Sequence, residues 1–394
     1  MTETAGPLDG VRVLDLTRVL AGPLCTMMLG DMGADVVKIE RPGRGDDTRA
    51  WGPPFAEGES AYYLGVNRNK RSVALDTGTD DGKVELGRLI READIVIDNY
   101  KHGTLARWGF DDAWFAREAP RAIRCSITGY GASGPDAARP GYDFILQAES
   151  GLMSICGEKD GSPMKYGVAI VDICTGMLAC NAVLAALHAR DETGKGQQID
   201  TSLFESSLFM LANVASNYLI GGGRGARYGN GHPNIVPYTV YDAKDASIAV
   251  AVGNDAQFAR FAELLGHAEW AGDPRFATNK DRVNNRDAID ALINQALSAD
   301  AADAWIGKLL ADGIPCGRIN SVAEALETEQ AKARDMVATV EHPTAGLLRL
   351  LGVPFKFSDT PTSIRRPPPL LGEHTDEVLA GGFGAPETRK SGAA

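Results

Sequence analysis

The chain has 394 residues, 44% of them hydrophobic and 23% charged, with a formal net charge of −12 at neutral pH. That length allows two ordinary domains, each with its own core, and an acidic surface repels a phosphate backbone, which argues against nucleic acid as a partner. Met1–Pro7 lacks the basic-then-apolar pattern of a secretory signal and no apolar run approaches the ~20 residues that span a bilayer, so the expectation is a cytoplasmic protein with no membrane association.

In chain order, the β-branched run Val11–Leu16 predicts a strand, Pro23–Met32 a helix and Asp35–Ile39 a second strand. Ser72–Leu75 follows, then a helix from about Asp81 to Glu92 that Thr79 can cap, and strands at Ile95–Ile97 and Ala122–Ile127. Strands alternating with helices predict parallel βαβ units, hence an open α/β sheet covered by helices. A long helix is expected just after Asp172, running to Arg190, then a strand at Gln197–Thr201 and a helix at Leu203–Leu219.

Six glycines and two arginines between Gly221 and Gly231 suggest a domain boundary or an active-site loop. Beyond them, Tyr238–Gly253 reads as a hairpin, and Gln257–Leu265, Arg286–Leu297 and Ala301–Asp312 as short helices. The organisation expected is an N-terminal part of a large α/β domain over 1–220, a small α+β domain over 221–325, and a segment over 326–394 that returns to the large domain. That last segment carries a Pro-rich strip at Arg365–Pro369 and a weakly ordered tail from Gly381.

The six cysteines lie scattered through apolar stretches with no CxxC pair, so neither a zinc site nor a disulfide framework is expected, and no metal is assigned. Gly43-Arg44-Gly45 follows a strand, but the third glycine of a dinucleotide fingerprint is missing and Asp46-Asp47 would repel a pyrophosphate. No GxxxxGK[ST] occurs, and Ser126, Ser154 and Ser202 lack the GxSxG elbow of hydrolases.

The informative segment is Val168-Ala169-Ile170-Val171-Asp172-Ile173-Cys174-Thr175-Gly176-Met177, an aspartate among apolar neighbours at the start of a helix rich in small residues. Locally, Asp172 reads as an N-cap. A helix N-terminus would also keep a partly buried carboxylate ionised and oriented, which an aspartate nucleophile needs, so the two roles are compatible.

Further motifs stand in a fixed order: Leu8–Leu16 leading into Ala21-Gly22-Pro23, then Gly33–Glu40 and Asn69-Lys70-Arg71-Ser72. After the aspartate come Gly194-Lys195-Gly196-Gln197, Gly229-Asn230 with His232-Pro233, and Leu370-Leu371-Gly372-Glu373-His374-Thr375. In that order, from about residue 7 to about residue 380, the chain resembles the family III coenzyme A transferases, the group of formyl-CoA transferase and the carnitine CoA-transferases. Each motif is weak alone; the ordered set is specific.

The resemblance implies a Rossmann-like parallel sheet, a smaller α+β domain, and two ring-like subunits interlocked as a homodimer. It implies that the aspartate at position 172 attacks a donor acyl-CoA thioester and carries the acyl group and then CoA itself, with coenzyme A and acyl-CoA as substrates and no permanently bound cofactor. It places coenzyme A contacts at Leu20, Ala21, Arg41, Leu75, Asn99, Tyr100, Lys101, Arg107, Arg139 and Tyr142. A short dicarboxylyl-CoA such as succinyl-CoA is the expected donor and a small carboxylic acid the acceptor, with Arg44, Arg49 and His232 as candidates to hold a distal carboxylate.

Two departures bear on this. Formyl-CoA transferases carry glutamine where this chain has Leu20, and a mobile glycine run at the position of Gly231-His232-Pro233-Asn234. The racemases of the same fold resemble Gly-His-Asp where this chain has Gly141-Tyr142-Asp143. A tyrosine, titrating near ~10, makes a poor base at neutral pH, which favours transfer over α-proton exchange. An acyl-CoA racemase and a non-catalytic CoA-binding protein remain the alternative readings.

Overall fold

The computed structural model describes residues 5–384; Met1–Thr4 and 385–394, and with them most of the tail read from Gly381, lie outside the described residues. The chain forms two compact units: Met1–Gly151 with Tyr166–Leu211 and Glu329–Ala394, and Leu152–Lys165 with Ala212–Thr328. The change of unit thus falls at Leu211, upstream of the glycine-rich stretch, and the second unit also takes in residues 152–165.

The first unit is built on β1 (Arg12–Leu16), β2 (Asp35–Glu40), β3 (Lys70–Ala74), β4 (Ile95–Asp98), β5 (Ile123–Thr128) and β6 (Gln198–Ser202). All neighbours pair in parallel, in the order β3-β2-β1-β4-β5-β6. Its principal helices are α1 (Ala21–Asp31), α2 (Asp80–Glu92), α3 (Asp112–Glu118), α4 (Asp143–Glu149), α5 (Ile170–Thr193) and α6 (Leu203–Phe209). Side chains alternate across the strands, so Val13, Val36, Ile95 and Ile97 meet α1 and α5 on one face. Leu14, Leu16, Val37 and Val96 meet α2 and α3 on the other. Thr79 caps α2 as its sequence suggests, accepting from the Gly82 N–H at 3.0 Å.

The chain runs outward from β1 through β2 to β3, then returns to lay β4 on the other side of β1. Where the direction reverses, the loops after β1 and β4 part and leave a crevice at the carboxyl ends of the strands.

One sequence reading needs correction. Helix α5 has 24 residues and a mean hydropathy of 1.9 over its most apolar stretch, so by length and composition it does match a bilayer span. Its apolarity serves the interior: Val171, Ala179, Val183, Ala186 and Leu187 are buried in the sheet–helix core. At Gly176 a Cβ would lie 2.5 Å from the Ala21 carbonyl oxygen, which is how closely α1 and α5 approach.

The motif Leu370–Thr375 covers the free edge of β3. The His374 N–H donates to the Ser72 carbonyl at 2.9 Å, Gly372 N–H to Ser72 Oγ at 2.9 Å, and Ala74 N–H to Thr375 Oγ1 at 3.0 Å. Arg365 donates to the carbonyls of Gly30, Gly33 and Ala34 at the end of α1.

The second unit holds an antiparallel sheet of Cys316–Arg318, Ser247–Ala251 and Tyr238–Asp242. Helices Asp255–Leu264, Arg286–Leu297 and Ala302–Ala311 bury Phe258, Phe261, Ile289, Ile293 and Leu309 with that sheet. The single helix read at Leu203–Leu219 is two, α6 and Ala212–Gly221, with Ala212 in the left-handed region (φ 43°) between them.

Candidate active site

Among the cavities that open along the carboxyl edge of the sheet, two hold most of the predicted residues. One, of about 310 Å³, is lined by residues after β1, β2, β3 and β4, including Arg18, Arg41, Asp47, Leu75 and Tyr100. The other, of about 200 Å³, is lined by Arg18, Leu20, Ala21, Asn99, Lys101, Arg139, Tyr142 and Asp172 among others. The structure therefore gathers Asp172 and seven of the coenzyme A candidates around one cavity, Tyr100 being on both, and Arg41 and Leu75 on the neighbouring one.

Buried charge shapes the floor. Asp15, at 0% exposure on β1, takes Lys70 Nζ at 3.0 Å and the hydroxyls of Thr17 and Thr26 at 2.6 and 2.7 Å. Burial alone would raise its carboxyl, but Lys70 and Lys38 outweigh that and hold it well below the ordinary carboxylate range. Lys38, also fully buried, pairs with Asp46 at 3.0 Å and donates to the Thr17 carbonyl at 2.7 Å. Asp46 in turn accepts from the backbone N–H of Val19 at 3.2 Å, and Val19 sits at φ 72°, a strained backbone for a β-branched residue. The turn leading into α1 is thus held in an unfavourable conformation by an ion pair beneath it. Leu20, the N-cap of α1, offers no side-chain oxygen to that helix.

Asp172 does not begin its helix. Helix α5 starts at Ile170, three residues earlier than the N-cap reading requires, and Asp172 lies in the first turn. The cap comes from another element: Asp143, at the start of α4, accepts from the backbone N–H of Val171 at 2.7 Å and more weakly from that of Asp172 at 3.4 Å. Gln147 Nε2 donates to the other oxygen of Asp143 at 2.6 Å. The half-buried Asp172 carboxyl is pushed up to about 7 by burial and by the negative charge of Asp143. Desolvation and a like charge thus both act against ionisation of this group, the opposite direction to a favourable helix terminus. No Lys, Arg or His forms an ion pair with Asp172 among the described residues.

Other predicted residues are placed differently. Arg107 lines neither cavity and donates to Thr104 Oγ1 at 2.7 Å. Arg139 is shared between Glu149 at 2.6 Å and Asp136 at 3.3 Å. Arg49 is committed to Glu40 at 2.7 Å and lies 3.7 Å over the Tyr63 ring, so it is part of the buried scaffold rather than a free carboxylate ligand. Arg44 is exposed and pairs with Asp47 at 2.9 Å, and His232 belongs to the second unit.

Sequence reasoning missed Tyr62, whose hydroxyl is pushed up to about 12 by burial and then by the charges of Asp172, Asp143 and Asp46. Its ring meets Trp51 edge-on at 5.2 Å. It also missed Asp143 as the cap and Arg18 on both cavities, although Arg18 follows the first strand, the usual place for a ligand-binding turn in an open α/β sheet.

The arrangement offers a carboxyl group with no cationic partner among the described residues, on the wall of one of two neighbouring cavities at the carboxyl edge of the sheet. Comparison with known proteins shows what the chain as a whole is similar to. The model of CoA-transferase family III matches residues 8–375. A succinyl-CoA:glutarate CoA-transferase of Mus musculus is 43% identical over 373 residues, covering 95% of this chain and 86% of the relative. A succinate–glutarate CoA-transferase of Agrobacterium fabrum is 45% identical over 381 residues, covering 95% of each. The crystal structure of a CAIB/BAIF family protein from Brucella suis superposes with a TM-score of 0.83 at 43% identity, covering 96% of this chain and 99% of that one. On a match that runs through both units, the chain belongs to CoA-transferase family III and is an enzyme of that family.

Proposed function

We propose that the enzyme moves coenzyme A from succinyl-CoA to a second short dicarboxylate, glutarate by analogy with the relatives' names, through covalent intermediates on Asp172. The observation that carries this reading is the Asp172 carboxyl itself: it lines the cavity, has no cationic partner among the described residues, and is made more basic and more nucleophilic by its surroundings.

The Asp172 carboxylate attacks the thioester carbonyl, and coenzyme A leaves as thiolate from a mixed anhydride. The thiolate attacks the aspartyl carbonyl, releasing succinate and leaving an aspartyl–CoA thioester. The acceptor carboxylate displaces the thiolate to form a second anhydride, and the thiolate then takes the acceptor acyl group and restores Asp172. Each step exchanges one activated acyl bond for another, so the energy of the thioester is conserved provided water is kept out. Leu20, Ala21, Asn99, Tyr100, Lys101 and Tyr142 on the Asp172 cavity, and Arg41 and Leu75 beside it, are taken as the surface for coenzyme A.

The same reading takes the enzyme as cytoplasmic, which its six free cysteines suit, and as an interlocked homodimer. Phe144, Ile145, Leu208 and Phe209 stand exposed on the first unit, a surface that a second copy would cover. Light scattering should return twice the chain mass.

The decisive test is trapping. After exposure to succinyl-CoA without acceptor, hydroxylamine should convert Asp172 to its hydroxamate, identified by mass spectrometry of the peptide. An unmodified Asp172 in an enzyme that turns over would remove the covalent mechanism.

A further inference from the structure

Arg18, Asp47 and Tyr100 line both cavities, and among the described residues Arg18 is the one cation at their junction. Its backbone is fixed from both sides. The Asn99 side chain accepts from the Arg18 N–H at 2.9 Å and donates to the Arg18 carbonyl at 2.7 Å. The preceding residue, Thr17, is held by Lys38 and the following one, Val19, by Asp46.

The guanidinium, by contrast, is loosely held. Its side chain is 44% exposed, 3.6 Å from Asp47 and 5.8 Å from the Tyr100 ring centre. Asp47 already has Arg44 at 2.9 Å, so Arg18 can turn away without stranding a carboxylate. Of the nearby cations, Lys38 is fully buried and paired, Arg139 serves two carboxylates, and Arg41 and Lys101 each line one of the two cavities rather than both.

Coenzyme A is linear, with nucleotide, diphosphate, pantetheine arm and thioester in that order. If the thioester reaches Asp172 and the nucleotide occupies the cavity of Arg41 and Leu75, the negatively charged middle of the ligand passes the junction. The distal carboxylate of a dicarboxylyl group, folded back from Asp172, is the other anion within the same cleft.

We infer that Arg18 binds an anionic group of the acyl-CoA donor, with Asn99 as its positioning residue. This rests on the proposed transfer reaction. A guanidinium on a fixed backbone with a weakly held head suits the planar, two-oxygen face that both a phosphate and a carboxylate present.

The test measures kcat and KM for the full-length enzyme and its Arg18→Met, Arg18→Lys and Asn99→Ala variants with four donors: succinyl-CoA, butyryl-CoA, succinyl-pantetheine and butyryl-pantetheine. Arg18→Met should raise KM at least tenfold on donors that carry the bound anion, with a smaller change in kcat, and Arg18→Lys should recover part of that loss. Asn99→Ala should raise KM on the same donors to a lesser degree. A loss confined to the two CoA donors identifies a phosphate of coenzyme A; one confined to the two succinyl donors identifies the carboxylate. Unchanged KM on all four donors, or an equal rise on butyryl-pantetheine, which has neither anion, would overturn the inference. Should the parent enzyme turn over none of them, the transfer reading fails. Calorimetric titration with succinyl-CoA then decides on Arg18: tenfold weaker binding by Arg18→Met supports it, and equal binding overturns it.

Discussion

The carboxylate of Asp143 accepts the backbone N–H of Val171 at 2.7 Å, and so a residue from a separate helix caps the helix that carries Asp172. The Asp172 pKa is raised by burial first and then by the negative charge that this contact sets close to it. The residue that fixes the position of the proposed nucleophile thus also contributes to its reactivity.

The acid limb of kcat/KM should therefore follow a group titrating near 7, the value at which the Asp172 carboxyl ionises, with activity lost as pH falls. Asp143→Asn keeps an oxygen for the Val171 N–H but removes the like charge. Its acid limb should move to lower pH. A limb that stays in place would mean that another group controls the rate.

Stability should show the same charge from the other side. The folded-state pKa of Asp172 lies above its ordinary value of 3.8, so ionisation in the folded protein is unfavourable. The cost is absent below about pH 4, grows between about 4 and 7, and is complete above 7. Asp172→Asn should accordingly be inactive yet more stable above pH 7, by roughly 1–2 kcal/mol, with the gain fading toward pH 4. Thermal unfolding across that range is the measurement.

Removing one member of the buried ion network should be costly. Lys70→Met leaves Asp15 buried at 0% exposure with one fewer cation, and a loss of about 3–5 kcal/mol is expected. In urea titrations, Asp15→Asn combined with Lys70→Met should lose less than the sum of the single changes.

Gly176→Ala should destabilise the protein by about 1–3 kcal/mol although alanine is the better helix former, because its methyl would meet the Ala21 carbonyl at 2.5 Å. The strain falls on the α1 turn beside the active-site cavity, so KM for the acyl-CoA donor should rise with it.

Much of the first unit is legible in the sequence because its strands are short β-branched runs separated by helical spacing. The six strands lie within one to two residues of where that pattern puts them, and Arg286–Leu297 in the second unit matches its predicted bounds. What escapes is whatever depends on distant partners. The start of α5 cannot be read from its own residues, because its cap is supplied by Asp143, 28 positions away. Arg49 looks like a free cation until Glu40 and Tyr63 are brought against it. Lys38 and Lys70 resemble strand surface charges, and only the fold shows that Asp15 and Asp46 lie buried beside them. The family motifs single out Asp172 as the proposed nucleophile, where local pattern alone favoured an N-cap. They could not show which cations are already taken.

The cover over β3 has a consequence for biosynthesis. Backbone groups at Ser72 and Ala74 bond to residues about 300 positions later, so a nascent chain displays an unprotected sheet edge while the whole second unit is being made. That interval exposes the molecule to edge-to-edge association, and a chaperone that shields the strand during synthesis should raise the soluble yield.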